Sequence, residues 1–169
     1  AEQCGWDKPG FDASAWAPAL VGGNEVNPRV QAAVSEPVRT FAELRPVSVS
    51  EPGPGAYVFD MGQNFAGFVR LTVRGEEGQK IQLRFAERLN PDGTIYTTNL
   101  RQARATDTYI CKGGGKETWQ PYFTFHGFQY VELTGISEKP SLDTIVGVAL
   151  SSDTPEAGQF ECSDAMVNK

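Results

Sequence analysis

The stretch from Tyr57 to Gly75 reads YVFDMGQNFAGFVRLTVRG. Its second half, Phe68–Arg74, alternates without a break. Val69, Leu71 and Val73 fall on one face, and Phe68, Arg70, Thr72 and Arg74 on the other. A period of two over this length marks a strand with one buried side. Ala56–Asp60 reads as a short strand before it. Gly62 and Gly67 bracket Gln63–Ala66 and predict a bulge or tight excursion between the two. Gln79–Ala86 alternates again, with Ile81, Leu83 and Phe85 inward. The GEEG loop at Gly75–Gly78 then predicts an antiparallel hairpin with a polar, arginine-bearing outer face.

Outward from this centre the punctuation continues. Asn90-Pro91-Asp92-Gly93 predicts a type I turn, because proline presets φ, Asp suits the third position and glycine closes the turn. Asn99–Ala105 reads as a short helical turn or an extended loop, and Thr106–Lys112 as a strand. Gly113–Gly115 is a hairpin turn rather than a phosphate loop, since neither a lysine–serine/threonine pair nor a helix follows. Trp119–Phe125 and Phe128–Leu133 read as two more strands. The second is apolar on both faces and is therefore central. Thr144–Leu150 is a continuous apolar run, the pattern of a buried strand. Upstream, residues 37–50 read as an edge strand, because Pro46 cannot donate to a ladder. Residues 21–35 read as a loop with a short strand near Arg29–Ala33. Asp12 and Ser14 favour a turn pinned by Trp6, Phe11 and Trp16. Gln159–Cys162 reads as a last short strand, with Ser163 capping a helix that starts at Asp164.

The expectation is an all-β chain: an antiparallel β-sandwich, jelly-roll-like, with little helix. Residues 1–35 form a lead-in, 36–152 the sandwich and 153–169 a lead-out. With 169 residues, 40% of them hydrophobic, the chain can bury a substantial core. A net charge of −6 argues against nucleic-acid and anionic-membrane partners. No run of some 18 apolar residues exists to span a bilayer. The three cysteines, Cys4, Cys111 and Cys162, are widely spaced and odd in number, which argues against a zinc motif and a disulfide framework. The first residues lack the basic and apolar regions of a signal peptide, and both ends read as cut. The setting is left open, a soluble protein that is cytoplasmic or secreted, with the cysteine usage leaning to a reducing compartment.

Catalytic equipment is sparse. His126 is the only histidine, embedded in FTFHGF, and reads as a partly buried residue bonding a backbone group. Asp60, Glu87, Asp92 and Asp107 could supply a glycosidic acid/base pair, but spacing selects no two of them. Salt bridges to Arg84, Arg101 and Arg104 are the plainer reading. No cofactor is expected. A structural Ca²⁺ near Asp60 and Asp107 is the alternative, without any EF-hand-like spacing behind it. Carbohydrate recognition needs aromatic faces and amide or guanidinium donors. Gln63, Asn64, Arg101 and Arg104, with Trp119 or Tyr96, could provide them. The same residues could equally tie loops to the sandwich or contact a neighbouring domain.

The ordered series GQNFAG (62–67), RFAE (84–87), LNPDG (89–93), NLR (99–101), ATD (105–107), FTFHGF (123–128), YVE (130–132) and TG (134–135) resembles one known family. It is similar to the β-sandwich region preceding the catalytic domain of bacterial α-L-rhamnosidases of glycoside hydrolase family 78. GWDKPGFDASAW (5–16) resembles the tail of the preceding module, and SSDTPEAGQFECSD (151–164) the linker into an (α/α)6 catalytic barrel. The family inverts L-rhamnosides with acidic residues of that barrel, so the resemblance carries no catalytic residue onto this chain. It implies a non-catalytic accessory sandwich whose partner is the barrel of the same polypeptide. The rivals are a free-standing module binding rhamnose-containing carbohydrate and a small enzyme acting alone.

Overall fold

The computed structural model describes residues 3–23 and 28–168. The part of the expected 21–35 loop at residues 24–27 lies outside the described residues. The strands are β1 (Val38–Leu44), β2 (Ser48–Gly53), β3 (Ala56–Gly75), β4 (Lys80–Ala86), β5 (Arg88–Leu89), β6 (Ile95–Tyr96), β7 (Thr106–Ile110), β8 (Gly115–Trp119), β9 (His126–Thr134) and β10 (Ile145–Ser152). Two short 3₁₀ turns, Thr98–Leu100 and Leu142–Thr144, are the only helical elements among the described residues. The main sheet runs β1-β10-β3-β9-β4-β7, with β2 and β8 also on β3, and every pairing is antiparallel. No described helix is long and apolar enough to cross a membrane.

The spine is β3. The alternation of its second half is borne out: Val69 and Leu71 are fully buried and Val73 nearly so. The expected excursion is a bulge inside one continuous strand. The register against β9 shifts between Asp60 and Phe65. Asp60 anchors it, accepting from the Gly62 backbone N–H at 2.7 Å and from Gln129 Nε2 at 3.1 Å. Gly62 takes φ +78°, a conformation that L side chains rarely adopt.

The expected β3–β4 hairpin is not formed. β10 and β8 take the hydrogen bonds of the second half of β3, while β9 and β7 take those of β4. The Glu76–Gln79 turn therefore carries the chain between the two leaves of the sandwich. Gln79 fastens it, accepting from the Glu76 N–H at 3.0 Å and donating to the Gly135 carbonyl at 2.6 Å. The leaves face each other where Tyr109 of β7 stacks on Trp119 of β8, with ring centroids 5.2 Å apart.

Between the leaves lies a core that includes Phe59, Leu71, Ile81, Leu83, Phe85, Phe128 and Leu133, each at most 1% exposed. Burial of each such side chain contributes about 1.5–3 kcal/mol. The expectation for β9 holds. It lies between β3 and β4, and its second face carries Tyr130 against a smaller cluster of Val58, Ala86 and Ile95. The Asn90 turn also forms: the Gly93 N–H reaches the Asn90 carbonyl at 3.0 Å, and Asp92 accepts from Thr94. The Thr94 hydroxyl, then its backbone N–H, hold the Asp92 carboxyl below the ordinary range.

Several segments differ from expectation. Residues 37–50, expected as one edge strand, form two, β1 on β10 and β2 on β3. Gly113–Gly115 does not close a hairpin, because β7 pairs with β4 and β8 with β3. Residues 28–35 are irregular and exposed, without the strand near Arg29–Ala33. Gln159–Cys162 is not a strand, and the following residues make a hydrogen-bonded turn capped by Asp164, not Ser163. The strand expected at Trp119–Phe125 is displaced toward the N-terminus. It ends at Trp119, and Gln120–Phe125 form a loop. Pro121 has no N–H to offer a ladder, which stops the strand there.

Candidate functional site

Three irregular segments meet at one end of the sandwich: the β3 bulge, the Thr97–Ala105 loop and the Gln120–Phe125 loop. Pairing of Ala66 with Gly127 and of Gly67 with His126 sets the bulge beside the start of β9. Glu87 ties the bulge to the second segment, accepting from Asn64 Nδ2 at 3.0 Å and from Asn99 Nδ2 at 3.2 Å. His126, first residue of β9 after the third segment, reaches Asp107, in β7 just after the second. Its Nε2 lies 3.0 Å from Asp107 Oδ1, and its ring stacks on Phe85 at 4.2 Å. The expected backbone partner of His126 is thus replaced by a carboxylate. The two side chains are only 14% and 10% exposed. Asp107 Oδ2 is buried with no hydrogen-bond partner among the described residues.

On this frame stand groups that the chain leaves uncovered. Tyr122, Phe123 and Phe125 are 76%, 108% and 65% exposed. Phe123 adopts φ +61°, a conformation uncommon for a side-chain-bearing residue. The Thr97–Ala105 loop turns through the 3₁₀ segment Thr98–Leu100, and Arg101 follows at φ +55°. Arg101 and Arg104 are both exposed, and neither makes an ion pair with a described residue.

The salt bridges expected for the four acids do not form. Arg84 pairs with Glu132 at 2.8 Å instead. Asp60 and Asp92 serve their own turns, Glu87 holds two amides and Asp107 holds the histidine. Backbone, amide, hydroxyl and imidazole groups occupy these carboxylates in place of arginine. Asp60 and Asp107, weighed above for Ca²⁺, are engaged in this way. No three His, Cys, Asp or Glu side chains converge as a metal site among the described residues.

Of the candidate sugar-binding residues, Asn64 is bound to Glu87 at 3.0 Å, and Gln63 is exposed beside it. Arg101 and Arg104 share the adjoining loop. Trp119 stands apart on β8, half-buried, with Tyr109 stacked at 5.2 Å. Sequence reasoning missed Tyr122, Phe123 and Phe125, because YFTF imitates strand alternation. Pro121 was the signal that the pattern could not continue as a strand.

The sequence profile of the "Bacterial alpha-L-rhamnosidase concanavalin-like domain" matches residues 50–151. The alpha-L-rhamnosidase of Streptomyces avermitilis is 50% identical over 168 residues, an alignment covering 99% of this chain and 16% of that protein. An alpha-L-rhamnosidase of Formosa agariphila is 34% identical over 169 residues, covering 97% of this chain and 18% of that protein. Among solved structures, the Streptomyces avermitilis enzyme complexed with L-rhamnose superposes with a TM-score of 0.90 at 50% identity, over 99% of this chain and 16% of that one. The alpha-L-rhamnosidase from Dictyoglumus thermophilum gives 0.89 at 38% identity, over 99% and 19%. The chain thus spans less than a fifth of the length of these relatives.

Proposed function

The chain belongs to the bacterial alpha-L-rhamnosidase concanavalin-like domain family, and from that premise we propose that it is a non-catalytic accessory sandwich of an α-L-rhamnosidase. In this reading the hydrolysis of terminal α-L-rhamnosides is performed by an (α/α)6 catalytic domain of the same polypeptide. The sandwich packs on that domain and supports it.

The observation that carries this reading is the uncovered end. Tyr122, Phe123 and Phe125 of one loop stand exposed to solvent, and Arg101 and Arg104 of the Thr97–Ala105 loop are exposed without ion-pair partners among the described residues. Exposed aromatic patches mark interaction surfaces, and aromatic residues with arginine are enriched in the energetic centres of interfaces. The frame beneath is cross-linked: the His126–Asp107 contact, the Phe85 stack and the two amides on Glu87 tie together the strands and turns from which the loops spring.

Triple substitution of Tyr122, Phe123 and Phe125 by serine tests this in a polypeptide that also contains the catalytic domain. The calorimetric transition is expected to fall by about 5 °C or more as the interface weakens, while the isolated chain keeps its own transition. An unchanged transition in the long polypeptide would count against the reading. So would turnover of a chromogenic rhamnoside by the isolated chain. Saturable NMR shifts of the same loops with millimolar L-rhamnose would transfer the surface to the carbohydrate-binding alternative.

A further inference from the structure

The other end of β8 carries a second feature, independent of the aromatic loop. The β3–β8 register sets Arg74 directly opposite Lys116. Directly opposed residues of an antiparallel pair point to the same face, and like charges there destabilise the sheet. Two residues further along, Thr72 and Thr118 lie opposite each other, their hydroxyls 3.2 Å apart. The segment after β9 crosses this face and brings Lys139 and Ser141 to the same open groove, of about 350 Å³.

None of these three cations makes an ion pair with a described residue. The carboxylate nearest in sequence to Lys116, that of Glu117, points to the opposite face. There it accepts from Tyr109 and from the Lys112 and Gly113 backbone N–H groups. Glu138 lines the groove without pairing to any of the three. Three unneutralised cations thus converge on one groove of a chain whose net charge is −6. The Ser141 hydroxyl accepts from the Asp143 N–H at 3.2 Å, so its own proton is free to donate outward.

We propose that this groove binds a small oxyanion, a carboxylate or sulfate group, held between Arg74, Lys116 and Lys139 with the Ser141 hydroxyl as a further donor. Arg74 offers a planar fork of donors suited to a two-oxygen face, and the lysines supply point charge. The anion relieves the cross-strand repulsion, so binding and fold stability are coupled. The net negative charge of the chain disfavours long polyanions such as nucleic acid and leaves a single anionic group as the fitting ligand.

The test uses the full chain with inorganic sulfate and, separately, glucuronate, each titrated against chloride at constant ionic strength. Saturable amide shifts confined to Arg74, Lys116, Lys139 and Ser141 are expected, with roughly millimolar affinity. Stronger response to sulfate would assign a free ion or sulfate ester, and stronger response to glucuronate a uronic carboxylate. Lys116→Gln is expected to weaken binding about fivefold. Lys116→Glu should raise Tm in the absence of anion and abolish the response. Lys139→Gln, off the sheet, repeats the binding test without touching the β3–β8 ladder. Linear shifts spread over the whole surface, or wild-type affinity in both Lys116→Gln and Lys139→Gln, would overturn the proposal.

Discussion

Replacing Gly67 with alanine is expected to lower Tm by about 10 °C or to prevent folding. Gly67 is the point on β3 where β9 and β10 flank the strand together, paired with His126 on one side and Ala149 on the other. A Cβ built there meets the Val148 carbonyl oxygen at 2.1 Å and the Ala149 Cα at 3.1 Å. Both obstacles are backbone, so no side chain can rotate away. Relief requires moving β10 off the spine, and β10 carries β1 with it. Overpacking of a rigid interior costs about 3 kcal/mol, and about 2–4 °C of Tm accompanies each kcal/mol in a domain of this size. Gly127→Ala is the control. Gly127 is paired one residue away, and a methyl group placed on it meets nothing within 4 Å. Thermal melts of the two variants side by side decide the matter, and an equal loss in both would refute the steric account.

Glu117→Gln is expected to destabilise the chain by about 2–3 kcal/mol at neutral pH, with an effect that fades in acid. Glu117 is 4% exposed on the inner face of β8. Its Oε2 accepts from the Tyr109 hydroxyl at 2.5 Å and the Lys112 N–H at 3.0 Å, and its Oε1 accepts from the Gly113 N–H at 2.9 Å. One carboxylate thereby satisfies the β7–β8 turn, whose Gly113 and Gly114 hold φ values of +81° and +88°. Glutamine keeps the shape but must turn an NH₂ toward donors, leaving at least one of them unpaired. Burial acts to raise the Glu117 pKa. The bonds from Tyr109, Lys112 and Gly113, with the nearby Lys112 charge, outweigh it and leave the pKa below its ordinary value of 4.5. The folded value is depressed, so the contribution is present above the ordinary value and is lost as pH falls through the folded one. The Tm gap between wild type and Glu117→Gln should therefore be widest near pH 7, narrow as pH falls below the ordinary value of 4.5 and close once pH has passed below the depressed folded value. A gap that is constant across that range would show that the carboxylate charge is not what stabilises the turn. Tyr109→Phe, which removes one neutral donor from Glu117, should cost about 1 kcal/mol.

Much of the architecture is legible in the sequence. Residues 68–74 and 79–86 face as their alternation requires, because side-chain direction in a strand is a local property with a period of two. The Gly62 bulge and the Asn90 turn are legible for the same reason: their φ demands and Asx hydrogen bonds lie within a few residues. The ordered motifs between Gly62 and Gly135 carry the family, which the profile match over residues 50–151 establishes. The site is half legible. Gln63, Asn64, Arg101 and Arg104 stand out as polar groups on adjoining segments, but their partners do not.

What only the tertiary structure decided is which segment lies beside which. β3 and β4 are consecutive and look like a hairpin, yet β8 and β10 take the second half of β3 while β7 and β9 take β4, each from more than twenty residues downstream. Arg39 finds Asp153 across a separation of 114 residues. Alternation says which face a residue shows, but a backbone hydrogen bond accepts any strand edge. The choice of neighbour is therefore made by closing the core and satisfying every ladder at once. That choice put His126 against Asp107, set Arg74 opposite Lys116, and left Tyr122, Phe123 and Phe125 outside the core.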